Sequence, residues 1–239
     1  MNANTSANQP DGKSDLASRI RKRMLQVVVQ FLLLAAILFI SSGRLDWVWA
    51  WAYLGVGVTI LAINVLVMPP ELIAERGRTD KKDVKAWDRM LTTLNIFPTL
   101  GVPIIAGLDE RFGLSPPLAV AIQVVALILF ALAQGLFTWA MVSNKFFSTS
   151  VRIQMDRNHT VASGGPYRVV RHPGYVGYIV SAFATSLALG SPWALIPAGL
   201  TMCILIIRTA LEDRTLQDEL AGYEEYAGRV RYRLLPGIW

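Results

Sequence analysis

Long apolar stretches alternate with short polar ones along this chain, and that alternation is its strongest signal. A helix that crosses a bilayer needs about 20 mostly apolar residues. Stretches without Asp, Glu, Lys or Arg run over 24–40, 47–67, 90–108 and 116–142. The third carries Pro98 and Pro103. A fifth stretch, 173–207, extends for 35 uncharged residues. As one helix it would be roughly 52 Å long, against a hydrocarbon core of about 30 Å. Gly190, Ser191 and Pro192 form a turn signal in its middle, which divides it into two short spans joined by a tight hairpin. The pattern therefore predicts an all-α, polytopic membrane protein with about six transmembrane helices. A polar N-terminal tail occupies 1–23, with disorder expected over 1–15. Four spans occupy 24–142. Residues 143–239 hold a loop, the hairpin and a C-terminal helix.

Composition agrees. Hydrophobic residues make up 53% of 239 and charged residues 17%, where soluble domains carry about 25% charge. The mean hydropathy is +0.41. The single cysteine, Cys203, excludes an internal disulfide framework and a Cys-based zinc site.

The net charge of +6 gains its meaning from placement. Alternate inter-span segments hold 21 Lys and Arg residues; the others hold only Arg44 and Arg111. Basic residues favour cytoplasmic loops, so both termini are expected in the cytoplasm. The charge is a topology signal, with some attraction to anionic lipid, and nucleic acid is not an expected partner. A cleaved signal peptide is disfavoured, because the candidate site Ala50-Trp51-Ala52 lies inside the second apolar run.

Three cytoplasmic regions are long enough to build a site. Residues 68–89 read as a solvated amphipathic loop on the membrane, with substrate gating as the alternative. Residues 143–172 hold both histidines, His159 and His172. A metal site is disfavoured: the two lie thirteen apart, no Cys is near, and Asp156 is the only nearby carboxylate. The phrase from Gly164 to Tyr175 mixes Gly and Pro with Tyr, His and Arg, which suits a polar ligand held near a helix start. In the third region Arg208 and Glu212 are four apart and share a helix face, either as an ordinary ion pair or as part of a site. Tyr223, Tyr226, Arg229, Arg231 and Tyr232 read as an interfacial anchor. Gly55-Val56-Gly57 lies within a span without a preceding strand, so it is no dinucleotide fingerprint.

The phrase Gly165-Pro166-Tyr167 … Arg171-His172-Pro173-Gly174-Tyr175-Val176-Gly177, with Arg208-Thr209-Ala210-Leu211-Glu212 … Leu216 and Arg231-Tyr232-Arg233-Leu234-Leu235-Pro236, resembles the isoprenylcysteine carboxyl methyltransferase family over roughly 150–239. The resemblance implies an integral membrane methyltransferase that uses S-adenosylmethionine and releases S-adenosylhomocysteine. Its cofactor pocket would include Gln154, His159, Thr160, Val161, Ala162, Tyr167, His172, Pro173, Gly174, Tyr175 and Glu212. Arg208 would engage the substrate and serve the transfer. Glu212-Asp213 stands where the family often has a Glu-Glu pair. The implied acceptor is the carboxylate of an isoprenylcysteine or similar lipophilic acid, entering from the bilayer. The implied place is a multi-pass membrane protein with a cytoplasmic site, in the plasma membrane if the chain is bacterial.

Three other readings stay open on sequence. A phospholipid N-methyltransferase would need a base, for which His172 or His159 could serve. A sterol-type reductase would use NADPH. A non-enzymatic membrane protein is disfavoured, because the spans hold no charge and show no internal repeat.

Overall fold

The computed structural model describes residues 12–77 and 83–239. Eight α-helices appear among them: α1 (Gly12–Ser42), α2 (Val48–Val67), α3 (Pro70–Gly77), α4 (Ala86–Phe112), α5 (Val120–Val142), α6 (Pro173–Ala188), α7 (Leu195–Glu219) and α8 (Tyr223–Arg229). No strand occurs among the described residues. The chain is an all-helical, polytopic membrane protein.

Five of these helices (α1, α2, α4, α5 and α7) are long and apolar enough to cross a bilayer. Only 11% to 33% of each apolar window is buried inside the protein, so their apolar side chains face outward, as lipid requires and water forbids. The predicted hairpin is present. α6 and α7 are separated by a turn in which Gly190 takes φ +81°. With 16 residues, α6 is about 24 Å long, shorter than the hydrocarbon core, which is why it falls outside the five.

Two boundaries differ from expectation. Residues 12–23 are not a separate polar tail; they are the first turns of α1, which continues unbroken into the span. The expected disorder over 1–15 does not extend to 12–15, which are helical; residues 1–11 lie outside the described residues. Residues 68–77 are not a solvated loop either. α3 buries Leu72, Ile73, Ala74 and Glu75 and lies so close to α1 that a Cβ on Gly77 would stand 3.0 Å from the Arg19 carbonyl oxygen.

α6 packs between α5 and α7, while α4 leans on α1 and α7. Gly177 lets α6 approach α5: a Cβ there would fall 2.6 Å from the Ala133 carbonyl oxygen. Pro98 and Pro103 sit inside α4 without ending it. The main apolar core, which includes Leu38, Trp47, Leu54, Val102, Phe130, Ala184 and Leu189, lies toward one end of the bundle. Arg44 bonds Glu110 there at 3.0 Å, and Ser191 Oγ donates to Asp109 Oδ2 at 2.6 Å. A second cluster of Ala140, Tyr167, Leu220, Tyr223 and Tyr226 gathers at the opposite end, around the chamber described next.

Candidate active site

A cavity of about 410 Å³ opens at that end, among α4, α6, α7, α8 and the loop 143–172. Its size lies within the roughly 300–1,000 Å³ of small-molecule sites. Gln154, His159, Thr160, Val161, Ala162, Tyr167, His172, Gly174, Tyr175, Arg208 and Glu212 all line it. Pro173 does not. It is fully buried at the first position of α6, where its missing N–H costs nothing and its fixed φ starts the helix. The wall continues down the spans through Ile96, Leu100 and Leu205, so a polar mouth joins an apolar shaft.

Arg208 and Glu212 share a face of α7 but are not an ion pair. Tyr175 Oη donates to Glu212 Oε2 across α6 and α7. Arg208 Nε donates instead to Asp88 Oδ1 at 2.8 Å, and its Nη2 to the Thr149 carbonyl at 3.1 Å. The guanidinium also lies over the Tyr175 ring, 5.4 Å from its centroid. Sequence reasoning missed Asp88. Its one signal was a lone acid at the start of an apolar run.

Glu212 and Asp213 divide the work of the acidic pair. Neighbours on a helix point about 100° apart. Glu212 looks into the chamber, while Asp213 is fully buried behind it. Asp213 accepts from Tyr223 Oη at 2.9 Å, Arg233 Nε at 2.9 Å and Gln217 Nε2 at 2.8 Å. Arg171 and His172 Nε2 also approach, at 3.3 and 3.4 Å. The Arg171 and His172 amides donate to the carbonyls of Tyr232 and Arg233. The C-terminal segment is thereby fastened to the start of α6. Tyr223 and Tyr226 are chamber wall, not an interfacial anchor: both are buried, and Tyr226 Oη donates to the Tyr167 carbonyl at 2.7 Å. Burial pushes the hydroxyls of Tyr167, Tyr223 and Tyr226 above their ordinary range, so all three are neutral at pH 7.

The loop is stapled from inside. Gln154 Nε2 donates to the Phe146 carbonyl at 2.6 Å, and Arg157 donates to Gln154 Oε1 at 2.7 Å. The Gln154 amide donates to His159 Nδ1 at 3.3 Å, and the His159 ring lies 4.4 Å from Phe146. Burial, with the Arg152 and Arg157 charges, lowers the His159 pKa to about 4. His159 is a neutral acceptor and a weak base. Gly174 has no Cβ to meet the Phe147 ring, which would lie 2.9 Å from one.

The fold and the chamber define a membrane protein with a polar ligand site at one end of the bundle. Residues 125–218 match the model of the isoprenylcysteine carboxyl methyltransferase (ICMT) family. The match starts earlier than the motifs quoted above and stops before α8. A protein of Oryza sativa subsp. indica named "Probable protein-S-isoprenylcysteine O-methyltransferase" is 26% identical over 112 residues, 46% of this chain and 59% of that one. A protein of Schizosaccharomyces pombe, "Protein-S-isoprenylcysteine O-methyltransferase", is 37% identical over 70 residues, 29% of this chain and 30% of that one. The chain thus matches about three fifths of the rice protein's length.

Proposed function

We propose that this protein is an S-adenosylmethionine-dependent carboxyl O-methyltransferase that esterifies an isoprenylcysteine or a similar lipophilic acid. One observation carries the reading: Glu212, held by Tyr175, and Arg208 stand one turn apart on the same cavity, which runs from a polar mouth into an apolar shaft.

The chamber's chemistry fits the cofactor. Val161 and Ala162 give an apolar slot for an adenine. Glu212 accepts from an ammonium or ribose hydroxyl, and Tyr175 fixes that carboxylate. Buried Asn95 Oδ1 and Ser150 Oγ line the cavity and have no hydrogen-bond partner among the described residues, so they are free to meet a ligand. When bound, S-adenosylmethionine supplies an electrophilic methyl group.

The acceptor carboxylate is ionised at pH 7 and needs no general base. Arg208 has spent one N–H on Asp88 and one on Thr149, which leaves part of its fork to orient a carboxylate. Asp88 balances its charge, so the acceptor oxygen is positioned without being quenched. What the residues contribute is alignment at about 3–3.5 Å. The apolar shaft admits a prenyl chain from the bilayer. The 21 basic residues in alternate segments support a cytoplasmic site and cytoplasmic termini.

The test is transfer of labelled methyl from S-adenosylmethionine to S-farnesylcysteine. Base treatment should release the label as methanol. Label that stays base-stable in the lipid fraction would overturn the ester assignment in favour of N-methylation.

A further inference from the structure

α3 carries a charge that the reaction outlined above does not use. Arg76 stands in its last turn and lines the same cavity. Its Nη1 is buried and has no hydrogen-bond partner among the described residues. The neighbouring Glu75 is committed to Arg152 at 3.2 Å, which also bonds Asp156. Among the described residues, the charge that acts on Arg76 is another cation, Arg23 of α1; burial, more strongly, and this repulsion lower the Arg76 pKa to about 10. The Phe147 ring, 5.5 Å from the guanidinium carbon, and the C-terminal end of α3 offset part of the burial cost. Neither gives Nη1 an acceptor. A guanidinium with a buried, unbonded Nη1, a like-charged neighbour and no carboxylate partner among the described residues is an expensive arrangement, and an entering anion relieves it.

The position says which anion. Arg76 sits on Phe147, and Arg208 bonds the Thr149 carbonyl. The two arginines therefore flank a strip of three residues, which spans at most about 10 Å. Asp88 already neutralises Arg208, so among the described arginines that line the chamber Arg76 is the one without a carboxylate partner. We propose that Arg76 is a second acceptor-binding residue, which receives an anionic oxygen of the lipophilic acid and gives the site its preference for acids over neutral lipids. This rests on the acceptor class proposed above. Arg76 lies outside the segment that the family model matches.

The experiment is direct binding by calorimetry, in detergent, of S-farnesylcysteine and of its carboxamide, to the wild-type protein and to Arg76→Gln and Arg76→Lys. Wild type should bind the acid at least tenfold more tightly than the amide. Arg76→Gln should abolish that preference and Arg76→Lys restore part of it, while S-adenosylhomocysteine affinity stays within twofold. Without ligand, Arg76→Gln should melt no lower than wild type, because it removes an unpaired buried charge. A preference that survives in Arg76→Gln overturns the inference, and so does a lower melting point, which marks a structural role. If wild type binds neither farnesyl compound, the acceptor class is wrong, and palmitic acid against palmitamide decides Arg76 alone. No acid preference there refutes it. Loss of phosphatidic acid binding in Arg76→Gln, with both acid preferences intact, assigns Arg76 to the bilayer and also refutes it.

Discussion

Arg208 of α7 and Asp88 of α4 form an ion pair at 2.8 Å across 120 residues of sequence. Asp88 is fully buried and also accepts the Val151 amide at 2.9 Å. One carboxylate thus fixes the arginine and the loop beside it. Removing one partner of a buried pair costs about 3–5 kcal/mol. Asp88→Ala should lower the thermal midpoint clearly, with Asp88→Asn milder. An unchanged midpoint in detergent would show that the pair contributes nothing to the fold.

Glu212 and Arg208 should separate in binding and kinetics. Glu212→Ala should abolish S-adenosylhomocysteine binding in calorimetry, and Tyr175→Phe should weaken it several-fold. Arg208→Ala should leave that binding within a few-fold of wild type, yet raise the KM for acceptor or lower kcat by tenfold or more. Intact cofactor affinity in Glu212→Ala would remove that residue from the pocket.

Asp213→Ala should loosen the C-terminal wall without touching the spans. Four hydrogen bonds involve this carboxylate, with Tyr223, Arg233, Gln217 and His172, and the Arg171 side chain lies close by. The expected cost is about 3–5 kcal/mol. Limited proteolysis should then cut within 220–239 at protease levels that spare wild type.

The spans were legible because membrane insertion writes itself locally, as uninterrupted apolar runs with basic residues at alternate ends. The chamber was half legible. The motif residues from Gln154 to Tyr175 other than Pro173, with Arg208 and Glu212, do meet around one cavity, because they lie on one loop, on the start of α6 that follows it, and on α7, which packs against α6. Asp88 and Arg76 were invisible because the groups they face, Arg208 and the Phe147 ring, are distant in sequence, and a charge beside an apolar run reads as a topology mark. Tyr223 and Tyr226 read as an anchor because an interface and a polar chamber favour the same amphipathic ring.

His159 ties the loop's stability to pH. Its pKa is about 4 when folded and about 6.5 when unfolded. Between those values the unfolded chain binds more protons, so stability rises with pH. The contribution is complete above about 6.5 and fades as pH falls toward 4. Thermal midpoints should drop from pH 7 to pH 5 by less in His159→Gln than in wild type. An equal drop would assign the acid sensitivity to other groups.

Gly177→Ala tests the α5–α6 contact. The added methyl meets the Ala133 carbonyl and the Phe137 amide, both backbone, so no side-chain rotation relieves it. Overpacking of this kind costs about 1–3 kcal/mol. The midpoint should fall, while cofactor affinity per folded molecule stays near wild type.

The fastening of α6 to the C-terminal segment sets an order for the protein's own synthesis. Arg171 and His172 donate to the carbonyls of Tyr232 and Arg233, and Asp213 takes Tyr223 and Arg233. Every membrane helix can insert as it leaves the ribosome, but the chamber wall stays open until residue 233 has followed. Insertion of the spans and assembly of the site are therefore separable, and a chain cut between α7 and α8 would keep its described spans but carry an unfinished pocket.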